Sequence, residues 1–221
     1  MGFDFKSSVM WESVPILLVG LKWTILITIF GLIIGFVLGA GSGLLKISRN
    51  AFLRKLAGIY IETIRGTPMM VQVMFIYFGL PMALGMRINP MVAGILAIGL
   101  NSGAYIAEIV RGSFQSIELG QAEAGRSIGL THFQTMYYII WPQALKRMIP
   151  ALGNQFIISL KDTSILVVVG VGELTRTGQE IIASNFRAFE VWITVALMYL
   201  VMTLSIAKVL NYIENKMDIN K

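Results

Sequence analysis

Five ionisable side chains stand in or beside stretches of this sequence that are otherwise apolar: Glu62, Arg65, Glu108, Lys161 and Asp162. On insertion scales a lone charge at the centre of a membrane helix costs about 2.5–3.5 kcal/mol, so each such group must be paired, hydrated or in contact with a polar solute. Acids and bases together suit the reversible binding of a zwitterion. Asp162 has the charge to hold an ammonium group, and Lys161 to hold a carboxylate or anchor a neighbouring helix; being adjacent, they point to different sides of their helix. Glu62 and Arg65 share a helical face, three residues apart, where they either neutralise one another or touch the solute. Glu108 and Arg111 have the same spacing and are expected to pair. Pro68, after Gly66 and Thr67, removes a backbone hydrogen bond and can open its helix, and the released carbonyls are natural ligands for an ammonium group. Asn101, Ser102 and Tyr105 add polar groups to another apolar stretch, serving either helix–helix hydrogen bonds or the solute. Covalent and metal chemistry is not expected. The chain has no cysteine and one histidine, His132, with no serine–acid constellation around it.

The elements that carry these residues are membrane helices. Of the 221 residues 56% are hydrophobic and 14% charged, against about 25% charged in soluble domains, and the mean hydropathy is +0.73. A span needs about 20 mostly apolar residues. Five segments qualify, at about 14–45, 58–84, 88–110, 148–172 and 188–210, the fourth interrupted only by Lys161-Asp162. The chain reads as one all-α integral membrane domain over 1–221. Asp4 and Glu12 stand where a signal peptide would be basic, so no cleavable leader is expected.

Charge sets the orientation. Lys46, Arg49, Arg54 and Lys55, then Arg111, Arg126, Lys146 and Arg147, then Lys208, Lys216 and Lys221 make eleven basic residues on one side, against Lys6, Arg87, Arg176 and Arg187 on the other. The positive-inside rule therefore predicts a cytoplasmic C-terminus and an outside N-terminus. The net charge of +6 is accounted for by topology, which leaves a nucleic-acid role without support. Gly31, Gly35, Gly39 and Gly43 recur every fourth residue, a stripe for close helix packing inside the chain or for a dimer seam. The outer stretch Glu173–Glu190 forms either a solvated loop or a lip that meets a partner.

The loop at 112–147 is far longer than the usual helix connection of about 2–8 residues. It reads as two short helices: Ile117–Ile128, stopped by Gly129, and a second that opens on Thr131 with Gln134 as a capping box and is broken or bent at Pro142. Such a pair suits docking into another protein better than mere connection. The run Glu123-Ala124-Gly125, Gly129, Ile139 and Trp141-Pro142 resembles the EAA motif of ATP-binding-cassette (ABC) importer permeases, in spacing throughout. Gly125 stands for the second alanine and Trp141 for leucine. Four further segments resemble the polar amino-acid uptake branch of that family, glutamine permeases most closely: Ile61 to Pro68, Gln72 to Phe78, Asn101 to Glu108, and Lys161 to Ser164. The likeness covers nearly the whole chain.

The resemblance implies a type I, methionine-permease-like fold with a coupling-helix pair between spans three and four. It also implies two permease chains, taken as a homodimer, a cytoplasmic ABC ATPase dimer, and an extracytoplasmic solute-binding protein, in a bacterial cytoplasmic membrane. ATP and Mg would be bound by the ATPase; this chain has no phosphate loop, needs no cofactor of its own, and is not expected to be an enzyme. Glu123, Ala124, Gly125, Gly129 and Leu130 are then the coupling residues. Glu62, Thr67, Asn101, Tyr105, Lys161, Asp162 and Ser164 are the candidate substrate contacts. Glutamine is the favoured substrate, with arginine, histidine or lysine suited by the acids Glu62 and Asp162. An ion-coupled secondary transporter or channel is the alternative.

Overall fold

A computed structural model describes residues 4–217, and every regular element among them is a helix. Lys221, one of the basic tail residues, lies outside the described residues. Helix α1 spans Ser7–Lys46, α2 Ala51–Arg65, α3 Met69–Leu84, α4 Pro90–Gln115, α5 Leu119–Ser127, α6 His132–Val169, α7 Leu174–Asn185 and α8 Ala188–Lys216. Helices α1, α4, α6 and α8 are long and apolar enough to cross a bilayer, and α2 with α3, a broken pair bent by 103°, makes a fifth if the two are counted as one span. The bend sits at Gly66-Thr67-Pro68, where proline withholds the donor that would continue the helix. A π turn at Phe75–Gly79 adds a second irregularity within α3.

Helix α1 lies against α4 along most of its length because its stripe of Gly31, Gly35, Gly39 and Gly43 leaves room for the Ile98, Ser102, Ile106 and Val110 side chains of α4. Ideal Cβ atoms on Gly39 and Gly43 would stand 2.6 Å from Ile106 and 2.8 Å from Val110, so only glycine admits the neighbouring helix this closely. The glycine stripe is therefore filled from within the chain. Ile27, Val73, Ala97, Ile98 and Leu166 form the central apolar cluster beside it. The outward faces of α1 and α8 are lined with exposed Phe30, Ile33, Val37, Leu200, Val201 and Leu204, the composition of a lipid-facing surface.

Two elements differ from expectation. Pro142 does not break the second loop helix. It occupies the first turn of the segment Trp141–Asp162, after a π turn at Met136–Ile140, and the helix entered at Thr131 continues as the fourth span. A π turn shifts the ladder by one residue, so a proline just beyond it needs no amide partner. The stretch after Gly172 is not a solvated loop. Glu173 is fully buried and caps α7, accepting from the amides of Thr175 (2.9 Å) and Arg176 (2.7 Å) and from the Tyr199 hydroxyl (3.1 Å). The Leu174 amide donates to Thr24 of α1 at 3.1 Å, and Leu17, Leu174, Ile181, Val191 and Val195 close the space between α1, α7 and α8.

Candidate functional site

A polar cavity of about 540 Å³ opens where the broken crossing meets α4 and α6. Arg65, Thr67 and Pro68 come from the break, Asn101 and Tyr105 from one face of α4, and Gln155 and Asp162 from α6. Arg65 and Asp162 give it one group of each charge. The Arg65 guanidinium is held from two sides, by Glu108 at 3.4 Å and by the ring of Tyr105, whose centroid lies 5.3 Å away. Glu108 also takes a two-pronged ion pair from Arg111, with contacts of 2.7–3.1 Å, so its charge is already shared. Among the described residues Asp162 has no basic group within ion-pair distance. It is a half-buried acid facing a cavity, with its charge left for something else to meet.

The break is held open by Gln72. Its amide nitrogen donates to Ile64 O (2.7 Å), Thr67 O (3.0 Å) and Thr67 Oγ1 (2.9 Å), and its oxygen accepts from Asn101 Nδ2 at 3.0 Å. The released carbonyls are thus taken by a buried side chain rather than left for an ammonium group, as the proline alone had suggested. A buried amide with every hydrogen bond made is a rigid strut, and through it the wall at Thr67 is tied to the wall at Asn101. Neither Gln72 nor Gln155 was among the expected contacts. The signal for Gln72 was a lone amide one turn beyond the helix-breaking proline, in an otherwise apolar run.

Of the expected substrate contacts, Thr67, Asn101, Tyr105 and Asp162 come together around this cavity. Glu62, Lys161 and Ser164 do not line it. Glu62 pairs with Lys46 across α1 and α2 at 2.9 Å, not with Arg65, because the α1–α2 turn brings the lysine alongside it. Lys161 is exposed and points about a quarter-turn away from Asp162, outside the cavity lining. Arg65 takes the basic role at the cavity instead.

The pair formed by α5 and the start of α6 is a compact knob. Thr131 and Gln134 make the reciprocal cap, with contacts of 3.2 and 2.9 Å. Gly129, at φ +83°, makes the left-handed turn before it, closed by the Leu130 amide on Gly125 O at 3.1 Å. Gly125 is buried against Thr135: a Cβ there would stand 2.7 Å from Thr135 Cγ2. That contact explains why this chain has glycine where the motif has alanine. Trp141, the other departure, packs at a tilt against Phe114, ring centroids 5.3 Å apart, and joins the cluster with Ala122, Ile139 and Met148 that binds the knob to the ends of α4 and α6. Gln143 to Gln121 (3.2 Å) and Arg147 to Ser116 add polar ties. Outward, the knob presents Leu119, Ile128, Phe133 and Tyr137, all more than half exposed, with Glu123 and Ala124 exposed among them.

Residues 31–219 match the family model described as "Binding-protein-dependent transport system inner membrane component". The chain is 50% identical over 220 residues to the glutamine transport system permease protein GlnP of Escherichia coli (strain K12), covering 99% of this chain and all of that one. It is 37% identical over 211 residues to the probable glutamine ABC transporter permease protein GlnM of Bacillus subtilis (strain 168), covering 96% and 97%. Among solved structures, a chain from the crystal structure of an amino acid ABC transporter with histidines superposes with a TM-score of 0.91 at 42% identity, over 98% of this chain and 100% of that one. This sets aside the ion-coupled alternative, because permeases of this kind are driven by a separate ATPase subunit. The chain belongs to the binding-protein-dependent transport system inner membrane components, and is a membrane permease subunit of an ABC importer rather than an enzyme.

Proposed function

We propose that this permease carries glutamine through the cavity between Arg65 and Asp162, in a bacterial cytoplasmic membrane with its N-terminus outside and its C-terminus inside. The observation that carries the reading is the charge inventory of that cavity: one guanidinium and one unpaired carboxylate. Asp162 takes the α-ammonium and Arg65 the α-carboxylate. Asn101, whose Nδ2 is already committed to Gln72, offers its Oδ1 to a side-chain amide, with Gln155 and Thr67 beside it. A cationic side chain would need a second free acid. Glu62 is outside the cavity and engaged by Lys46, and Glu108 is engaged by Arg65 and Arg111, which favours a neutral amide side chain over arginine, histidine or lysine.

Transport in this reading needs four partners' worth of machinery. A second copy of this chain completes the path. An extracytoplasmic binding protein delivers the solute to the end bearing α7, whose capped and buried attachment makes it a firm lip. A cytoplasmic ATPase dimer, which binds the ATP and Mg, receives the knob at Glu123–Leu130, its exposed apolar residues seated in that partner. Because the knob is continuous with α6, and α6 carries Asp162, movement of the ATPase reaches the cavity through one rod.

Reconstitution of the permease with its ATPase and binding protein in liposomes, with ATP hydrolysis measured against a panel of amino acids, tests this. Glutamine is expected to stimulate hydrolysis at the lowest concentration; stimulation by arginine or lysine with none by glutamine contradicts the reading.

A further inference from the structure

At the Lys46 end of α1 the chain turns through residues 47–50 and α2 runs back beside it. A second cavity, of about 530 Å³, lies in this elbow, lined by Lys46, Arg54, Lys55, Gly58, Ile59 and Glu62, and shares no residue with the solute cavity. Its chemistry is basic. Lys46 and Glu62 neutralise one another at 2.9 Å. Gly58 makes the room for that pair, since a Cβ there would stand 2.7 Å from Lys46 Nζ. Arg54 and Lys55 are left over: neither has a carboxylate within 4.0 Å among the described residues, and the Arg54 guanidinium donates only to Ser48 O at 3.3 Å.

The neighbouring face of α2 is apolar and open. Phe52, Leu56 and Ile59 follow one another at helical spacing and are 73%, 54% and 58% exposed. One helix thus sets two unneutralised cations over a cavity at the end of a membrane span, next to a strip suited to a hydrocarbon chain. A free phosphate ester matches the cations but has nothing to lay on the strip.

We propose that the α1–α2 elbow binds an anionic phospholipid, its phosphate between Arg54 and Lys55 and an acyl chain along Leu56 and Ile59. The site does not depend on the solute reading, and it can fail without affecting it.

The test is native mass spectrometry of the detergent-solubilised permease–ATPase complex with palmitoyl-oleoyl phosphatidylglycerol or the matching phosphatidylcholine. The wild-type complex is expected to retain phosphatidylglycerol preferentially. The R54Q/K55Q variant, altered only at exposed positions, is expected to lose that preference by about 30-fold, as two surface cations near lipid predict. K216Q, which removes a basic residue elsewhere, should leave it intact. Equal retention of the two lipids by wild type, unchanged retention by R54Q/K55Q, or an equal loss in K216Q overturns the site. Displacement of phosphatidylglycerol by equimolar sn-glycerol 3-phosphate also overturns it, because the cavity would then read a soluble phosphate ester.

Discussion

Each ionisable residue in this membrane domain is settled by what stands opposite it in space, which its neighbours in sequence do not reveal. The three-residue spacing favoured a Glu62–Arg65 pair, yet Glu62 meets Lys46 and Arg65 meets Glu108, both across helices. Glu108–Arg111, with the same spacing, does form, and Glu108 meets Arg65 across helices as well. Gln72 is the residue on which the cavity wall depends. Replacing it by leucine in Q72L leaves the buried Asn101 amide without its partner and removes the ties to Ile64 O and Thr67 O, a loss of about 1–3 kcal/mol, the cost of one buried unsatisfied group. The thermal midpoint of the solubilised permease and its affinity for glutamine are both expected to fall in Q72L; no change in either means that the strut is dispensable.

At the scale of elements, the helices and the break at Pro68 were legible because apolar length and a missing amide are local properties. So was the knob, whose capping box and left-handed Gly129 are written in consecutive residues. The continuity of the knob with α6 was not legible, because the π turn that absorbs Pro142 packs against α5, a contact that no local sequence signal marks. Half of the candidate cavity was readable for the same reason: Thr67, Asn101, Tyr105 and Asp162 are polar in apolar runs, whereas the exclusion of Lys161 rests on how α6 is rotated. The fit between α5 and α6 is tight enough to test by size exchange. G125A should impair glutamine-stimulated hydrolysis by pushing α5 off Thr135, at about 1–3 kcal/mol for overpacking, and T135A in the same chain should restore it. Failure of the second change to rescue the first would show that Gly125 acts otherwise. The lip has its own signature. Burial drives the Glu173 carboxyl above its ordinary range, against the opposing hydrogen bonds from Thr175 and Arg176. The folded lip therefore holds a proton that the unfolded chain releases, and stability falls as pH rises from the unfolded value through the folded one. Thermal midpoints measured across that interval should decline with pH in wild type and lose this slope in E173Q; parallel profiles for the two proteins would remove Glu173 from the account.

Over the whole molecule, the charges sort into three jobs that composition alone runs together. Lys46 and Arg54 lie at the membrane end of a span, Glu108 and Arg111 brace α4, and Arg65 and Asp162 face one another over open space. In the proposed reading the third set makes the domain a conduit for a zwitterion, with its acid on the same rod as the knob assigned to the ATPase. The direct measurement is a binding cycle on the purified permease–ATPase complex, without binding protein. It compares glutamine with 4-carbamoylbutyrate, the analogue lacking the α-ammonium, in wild type and in D162N. Losing the ammonium is expected to weaken wild-type binding by about 30-fold or more, the scale set by leaving one partner of a close charge pair alone, and to weaken D162N binding by less than about 3-fold. An equal loss in both proteins would mean that Asp162 does not hold the ammonium group and would contradict the account.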